Sequence, residues 1–147
     1  MSVTTAEVAE IIRGVSTRVI DPGFRRLSPD QIHEKAPGDL VTDLDRQAEG
    51  ELSRLLTSAG GGIVVGEESV HDDASVLQEL PTAELAWVID PIDGTKNYVN
   101  GSTHHAVMVA EVQHGVTTRS WIWQPQLGHM WICLLYTSDA ADEEDSG

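Results

Sequence analysis

Residues 87–101 read Trp-Val-Ile-Asp-Pro-Ile-Asp-Gly-Thr-Lys-Asn-Tyr-Val-Asn-Gly. An apolar run, Trp87-Val88-Ile89, drives straight into two carboxylates three apart, Asp90 and Asp93. Unpaired carboxylates side by side repel each other and resist burial, so the position asks for a positive charge between them. One simple alternative is a turn, because Asp-Pro and Asp-Gly are common turn dipeptides and an aspartate can cap a helix unaided. A calcium loop does not fit, since its third position would fall on Ile92. Oxygen donors without a neighbouring cysteine or an organised histidine favour a hard cation, Mg²⁺ over Zn²⁺. Asp90 and Asp93 around a turn can grip one ion or bridge two, which sit about 3.5–4 Å apart in two-metal sites. Pro91 fixes a backbone angle between them, and the carbonyl of Ile92 can turn inward as a further donor. Gly94 lets the chain bend into a helix whose free N–H groups suit a phosphoryl group.

Working outward, two more acids stand at element ends: Asp45 on the first turn of a helix and Glu67 just after a strand. Strand ends and their loops are where sheets of this kind place their sites. The first helix is marked by Val8, Ile11, Ile12, Val15 and Val19 on one stripe, by Thr4 and Glu7 at capping-box spacing, and by a stop at Asp21-Pro22-Gly23. Ser28-Pro29 predicts a short helical turn through His33, Lys35-Ala36-Pro37-Gly38 a loop, and Asp39-Leu40-Val41 a short extended piece. A second helix starts at Thr42, with Leu44, Ala48, Leu52 and Leu55 inward and Gly60-Gly61-Gly62 ending it. Strands are predicted at 63–65 and 85–89, with a mostly irregular segment at 70–83 and a helical turn at 96–100. Segments 105–112 and 115–123 form a hairpin, and 127–132 pairs next. The order helix, helix, then strands gives an α+β fold: two N-terminal helices packed on a largely antiparallel sheet.

The chain has 147 residues, enough for one domain with a core, and no apolar run approaches the ~20 residues that span a bilayer. Its net charge of −15 excludes a nucleic-acid polymer as partner, though not a small phosphate ester neutralised by bound cations. The acidic, amphipathic start is not a secretory signal, and one cysteine, Cys133, fits a reducing, cytoplasmic setting. Residues 1–132 read as the domain. Residues 133–147 break the strand pattern, crowd five acids together and read like translated adapter sequence, so a disordered tail is predicted there.

The histidines carry less chemistry. His104 and His105 are adjacent, would face opposite sides of a strand, and read as structural. Lys35 is either solvated or a partner for an acid at the site.

The stretch 87–98 resembles the signature of the inositol monophosphatase family of Mg²⁺-dependent, lithium-sensitive phosphatases. Asp39-Leu40-Val41-Thr42-Asp43-Leu44-Asp45 and Gly66-Glu67-Glu68-Ser69 resemble two further motifs of that family, in the same order. The resemblance implies a layered α/β sandwich of the sugar-phosphatase type and hydrolysis of a small phosphate monoester by metal-activated water. It implies that Glu67, Asp90, Asp93 and the backbone oxygen of Ile92 hold Mg²⁺. By the same resemblance Thr95, hydrogen-bonded to Asp45, orients the water together with Glu67, Gly94 and Thr95 hold the phosphate, and Glu68 stands one layer behind. The substrate class spans inositol phosphate, histidinol phosphate and nucleotide 3′-phosphate, and the family is commonly homodimeric. Family members run to roughly twice this length, with a further ligating aspartate in a Trp-Asp motif beyond anything written here. A chain of this extent is therefore expected to be nearly inactive, or, in a second reading, to be a non-catalytic piece that binds divalent metal weakly.

Overall fold

The computed structural model describes residues 3–135. Helix α1 (Thr5–Val15) opens on the predicted box: the Thr4 N–H donates to the Glu7 carboxylate (2.7 Å) and the Glu7 N–H donates to Thr4 Oγ1 (3.1 Å). The helix loosens into a π turn at Ser16–Ile20 and closes with one further turn, α2 (Asp21–Gly23). Strands β1 (Ile32–Ala36) and β2 (Asp39–Thr42) form a separate antiparallel hairpin turned at Pro37-Gly38. The helical turn predicted through His33 is thus only a 3₁₀ turn, Pro29–Gln31, and the predicted loop at 35–38 is the hairpin's tip. Strand β1 escapes a pattern reading because neither of its faces is fully buried, so Ile-His-Glu-Lys-Ala carries no clean alternation.

Helix α3 (Asp43–Gly60) lies against the main sheet, and β3 (Ile63–Gly66) follows. Helix α4 (Glu67–Asp72) and a 3₁₀ segment (Ala74–Glu79) replace the irregular stretch expected at 70–83. Strand β4 (Ala86–Asp93), helix α5 (Thr95–Val99) and strands β5 (Ala106–Gln113), β6 (Val116–Gln124) and β7 (His129–Leu134) complete the chain. The main sheet has the order β3-β4-β5-β6-β7, with β3 parallel to β4 and every later pair antiparallel. The fold is α+β, as the element order predicts. Strand β7 extends through Cys133 and Leu134, pairing with Ser120 and Arg119, so it passes the point where the tail was expected to begin. The disorder predicted for 136–147 falls outside the described residues.

One face of the sheet meets α1 and α3. Trp87 and Ile89 from β4, Val107 and Val109 from β5, and Trp121 from β6 project onto Val8, Ile12, Val15, Ala48 and Leu52, all buried. The two tryptophans lie 6.2 Å apart centre to centre, and each satisfies its indole N–H on a carbonyl: Trp87 on Gly61 (3.0 Å), Trp121 on Thr5 (3.2 Å). Truncating either to alanine costs about 3–5 kcal/mol. The same end of the sheet holds a buried ion pair. Arg119 on β6 donates from Nε (2.8 Å) and Nη2 (2.7 Å) to the two oxygens of Glu111 on β5, and also donates from Nη1 to Thr5 Oγ1 and from Nη2 to the Val3 carbonyl. The opposite face carries Val88, Met108, Ala110 and Ile122 and lines an open groove of about 550 Å³.

Candidate metal and phosphoryl site

Strand β4 does not stop at Ile89, where Pro91 suggests it should; it runs on to Asp93 through a bulge. Asp90 pairs with Met108 and Asp93 with Ala106, so three steps on β4 match two on β5. Proline is tolerated in strands at such irregularities, where no ladder hydrogen bond is lost. The bulge has a direct consequence for the site. On a regular strand, residues three apart face opposite sides; one extra residue returns Asp93 to the side of Asp90. Both line the same pocket of about 240 Å³, with Glu67, Ile92, Gly94 and Thr95. Gly38, Asp39 and Leu40 close it from the β1–β2 hairpin.

Asp45 arrives from the start of α3. Thr42 caps that helix, and its N–H and hydroxyl both donate to Asp45 Oδ2 at 2.7 Å. The other oxygen, Oδ1, accepts from the hydroxyl of Thr95 at 3.0 Å. The Thr95 hydroxyl has one hydrogen and also lies 2.9 Å from the carbonyl of Ile92, so it divides that hydrogen between the two acceptors. Asp45 is fully buried, and burial lifts its carboxyl above the usual range despite the bonds from Thr42 and Thr95. Gly94 has φ +86, and a Cβ there would stand 3.1 Å from the carbonyl of His104, so both backbone and space require glycine.

The electrostatics single out Asp90. Its Oδ1 is buried with no hydrogen-bond partner. Burial, then the charges of Glu67 and Asp93, push its carboxyl up to about 8. Glu68, at the start of α4, buries both carboxylate oxygens without a hydrogen bond, and the Lys35 ammonium lies 3.6 Å away. Both side chains are nearly inaccessible, which decides the alternatives for Lys35: it pairs with an acid at the site. Burial raises the Glu68 carboxyl, with Lys35 opposing.

A hard divalent cation fits this donor set. A buried, unpartnered carboxylate oxygen beside two further carboxylates gains most from a cation, and all the nearby side-chain donors are oxygens. Among the described residues, however, no three acidic, histidine or cysteine side chains are arranged to hold a metal ion as they stand. Glu67 and Asp93 are exposed and line the pocket without converging on one point.

The histidines play no part. His105 is buried against Phe24 and Tyr98, bonds through Nδ1 to the Ser102 carbonyl, and is held below its ordinary value by burial. Sequence reasoning misses a buried acid beside the site, Glu49 on α3, which accepts the backbone N–H groups of Glu68 (2.8 Å) and Ser69 (3.0 Å). Its signal was position: it lies one helical turn after Asp45, on the same face.

Comparison with known proteins completes the picture. A sequence model of the inositol monophosphatase family matches residues 2–136. The chain is 30% identical over 135 residues to inositol-1-monophosphatase ImpA of Mycolicibacterium smegmatis, a match covering 92% of this chain and 45% of that protein. It is 31% identical over 100 residues to Nus factor SuhB of Vibrio cholerae, covering 68% of this chain and 36% of that one. Among solved structures, an IMPase from Thermotoga maritima superposes with a TM-score of 0.70 at 23% identity, over 85% of this chain and 45% of the other. The chain thus spans less than half the length of these relatives. No described helix is long and apolar enough to cross a membrane.

Proposed function

The chain belongs to the inositol monophosphatase family, and from that premise we propose that it carries part of the active site of a Mg²⁺-dependent phosphomonoesterase. The observation that carries this reading is the Asp90 carboxylate, one oxygen buried and unpartnered, with Glu67 and Asp93 lining the same pocket.

In this reading Glu67, Asp90, Asp93 and the carbonyl of Ile92 would hold the metal. Bound there, Mg²⁺ would neutralise the charge of the phosphoryl oxygens and lower the pKa of water. The rest is the work of the chain's own groups. Thr95 shares its hydrogen between Asp45 Oδ1 and the Ile92 carbonyl, which leaves its oxygen lone pairs free to accept a hydrogen bond from the attacking water. Asp45, anchored by two bonds from Thr42, keeps that orientation fixed. Proton handling of this kind contributes about 10²–10⁴-fold. Gly94 and Thr95, at the floor of the pocket, would hold the phosphate. Lys35 holds Glu68 behind the pocket and leaves Glu67 free. The substrate is a small phosphate monoester: inositol phosphate, histidinol phosphate or a nucleotide 3′-phosphate, acted on by a cytoplasmic, homodimeric whole protein.

The test is release of inorganic phosphate from those three esters, with Mg²⁺ and with chelator, by this chain and by a product of its gene as long as the relatives. Mg²⁺-dependent release by the longer product, abolished in Asp93→Asn with the fold retained, is expected; unchanged turnover in that variant overturns the metal role. A second, non-catalytic reading draws on the open arrangement of the acids and on a relative named a Nus factor. It predicts no phosphate release from any of the three esters at either length.

A further inference from the structure

We infer that Glu49 is a positioning residue for the metal-binding acids: it fixes the turn between β3 and α4, and so sets where Glu67 and Glu68 stand. The inference rests on the metal reading of the pocket given above. Glu49 is buried on α3, and its two carboxylate oxygens divide two consecutive backbone amides between them, Oε1 to Glu68 and Oε2 to Ser69. A carboxylate engaged by both oxygens fixes the orientation of what it binds as well as the distance. The amides it holds belong to Glu68 itself and to the residue after it.

Gly66 supplies the independent support. Its φ is −107, open to any residue, so its backbone does not call for glycine. Space does: a Cβ on Gly66 would overlap the Glu49 carboxylate. The strand therefore ends in the one residue that lets a carboxylate from a neighbouring helix reach the turn. The remaining local bonds, from the Gly66 N–H to Ser69 Oγ (3.0 Å) and from the Ser69 hydroxyl to the Gly66 carbonyl (3.1 Å), close the turn on itself. The tie to α3 is Glu49. That helix thus places Asp45 against Thr95 with its first turn and the Glu67-Glu68 pair with its second. A buried carboxylate is an expensive way to cap a turn, especially among other acids, and a neutral cap would serve stability alone. What the carboxylate adds is a fixed relation between two arms of the site.

Mn²⁺ titration of the 147-residue chain, followed by NMR line broadening at the Asp90–Thr95 amides and by amide hydrogen exchange, tests this. Glu49→Ala should weaken Mn²⁺ binding about tenfold, in the range for residues that orient ligands. It should also speed exchange at Glu68 and Ser69 while the β4, β5 and β6 amides stay protected. Glu49→Gln, with one acceptor left, should fall between, and carries the test should the alanine variant fail to fold. Gly66→Ala should reproduce the Glu49→Ala defect and add little to it in the double variant. Leu56→Ala, which weakens α3 away from the turn, should lower stability with Mn²⁺ affinity unchanged. Wild-type affinity in the Glu49 variants, with binding lost in Asp90→Asn, overturns the inference alone. If wild type and Asp90→Asn alike show no broadening at these amides, the metal reading fails and takes this inference with it.

Discussion

Glu111 on β5 and Asp90 on β4 are acids of adjacent strands in one sheet, and they differ in what meets their charge. Glu111 is met by Arg119, which donates to both of its oxygens, and by the hydroxyl of Thr118 at 2.7 Å. Burial alone would raise its carboxyl, but the Arg119 and Thr118 bonds and the Arg119 charge bring it below the ordinary range. Asp90 has one oxygen buried without a partner, and burial together with the negative charges of Glu67 and Asp93 raises its carboxyl to about 8. The first acid is neutralised from within the chain and serves the fold. The second asks for a charge from outside, which is what a binding site looks like before it binds.

The contrast can be broken most severely at Arg119. Arg119→Ala strands Glu111 as a buried unpaired charge and should cost about 3–5 kcal/mol in urea unfolding; a loss below 1 kcal/mol would show that the pair is solvated. Asp90→Asn should act with the opposite sign. In chelator it removes an unpaired acid and should stabilise the chain by about 1–3 kcal/mol, while eliminating Mn²⁺ broadening at the site. A destabilised Asp90→Asn would mean that the acid is already satisfied. Thr95→Val takes one bond from Asp45 and should cost about 1 kcal/mol, with activity in a longer gene product falling far more than stability.

The subtlest test is pH. In metal-free protein, the folded value of Asp90 lies above the value of about 4 for an unfolded carboxylate. Its contribution to stability is therefore full below pH 4 and is lost as pH climbs to about 8. The folded value of Glu111 lies below its unfolded one, so its contribution holds above that unfolded value and is lost as pH falls through the folded one. Melts from pH 4 to 8 should show a downward slope toward alkaline pH that flattens in Asp90→Asn. Mg²⁺ affinity should rise over the same interval, because the cation competes with the proton on Asp90.

How much of this was legible beforehand differs by region. Helices α1 and α3 could be read to their caps, because Thr4 with Glu7 and Thr42 with Asp45 are local pairs whose bonds depend on neighbours in sequence. Strand β1 could not, because neither of its faces is buried enough to impose a two-residue rhythm, although its partner β2 was legible at 39–41. Strand β4 looked finished at Pro91, since a proline in a strand argues against continuation unless a bulge is present, and a bulge cannot be seen in one strand alone. The acids around Asp90 were visible as residue types; the bond joining Asp45 to Thr95, fifty residues on, is a tertiary contact that no spacing rule contains and that only the family resemblance led us to expect. Glu49 was hidden for the same reason: its partners are backbone amides of another element.

The bulge at Pro91-Ile92 sets a rule for length as well as direction. It converts a strand that counts in twos into one that, for a single step, counts in three. The interval from Asp90 to Asp93 is thereby tied to the bulge, since three residues in a regular ladder would put Asp93 on the far side of the sheet. The interval from Glu67 to Asp90, by contrast, passes through a short helix, a 3₁₀ turn and open chain before β4 begins, and can absorb insertions without moving either acid. The site is held rigid from Asp90 to Asp93 and left elastic over the stretch that joins Glu67 to them.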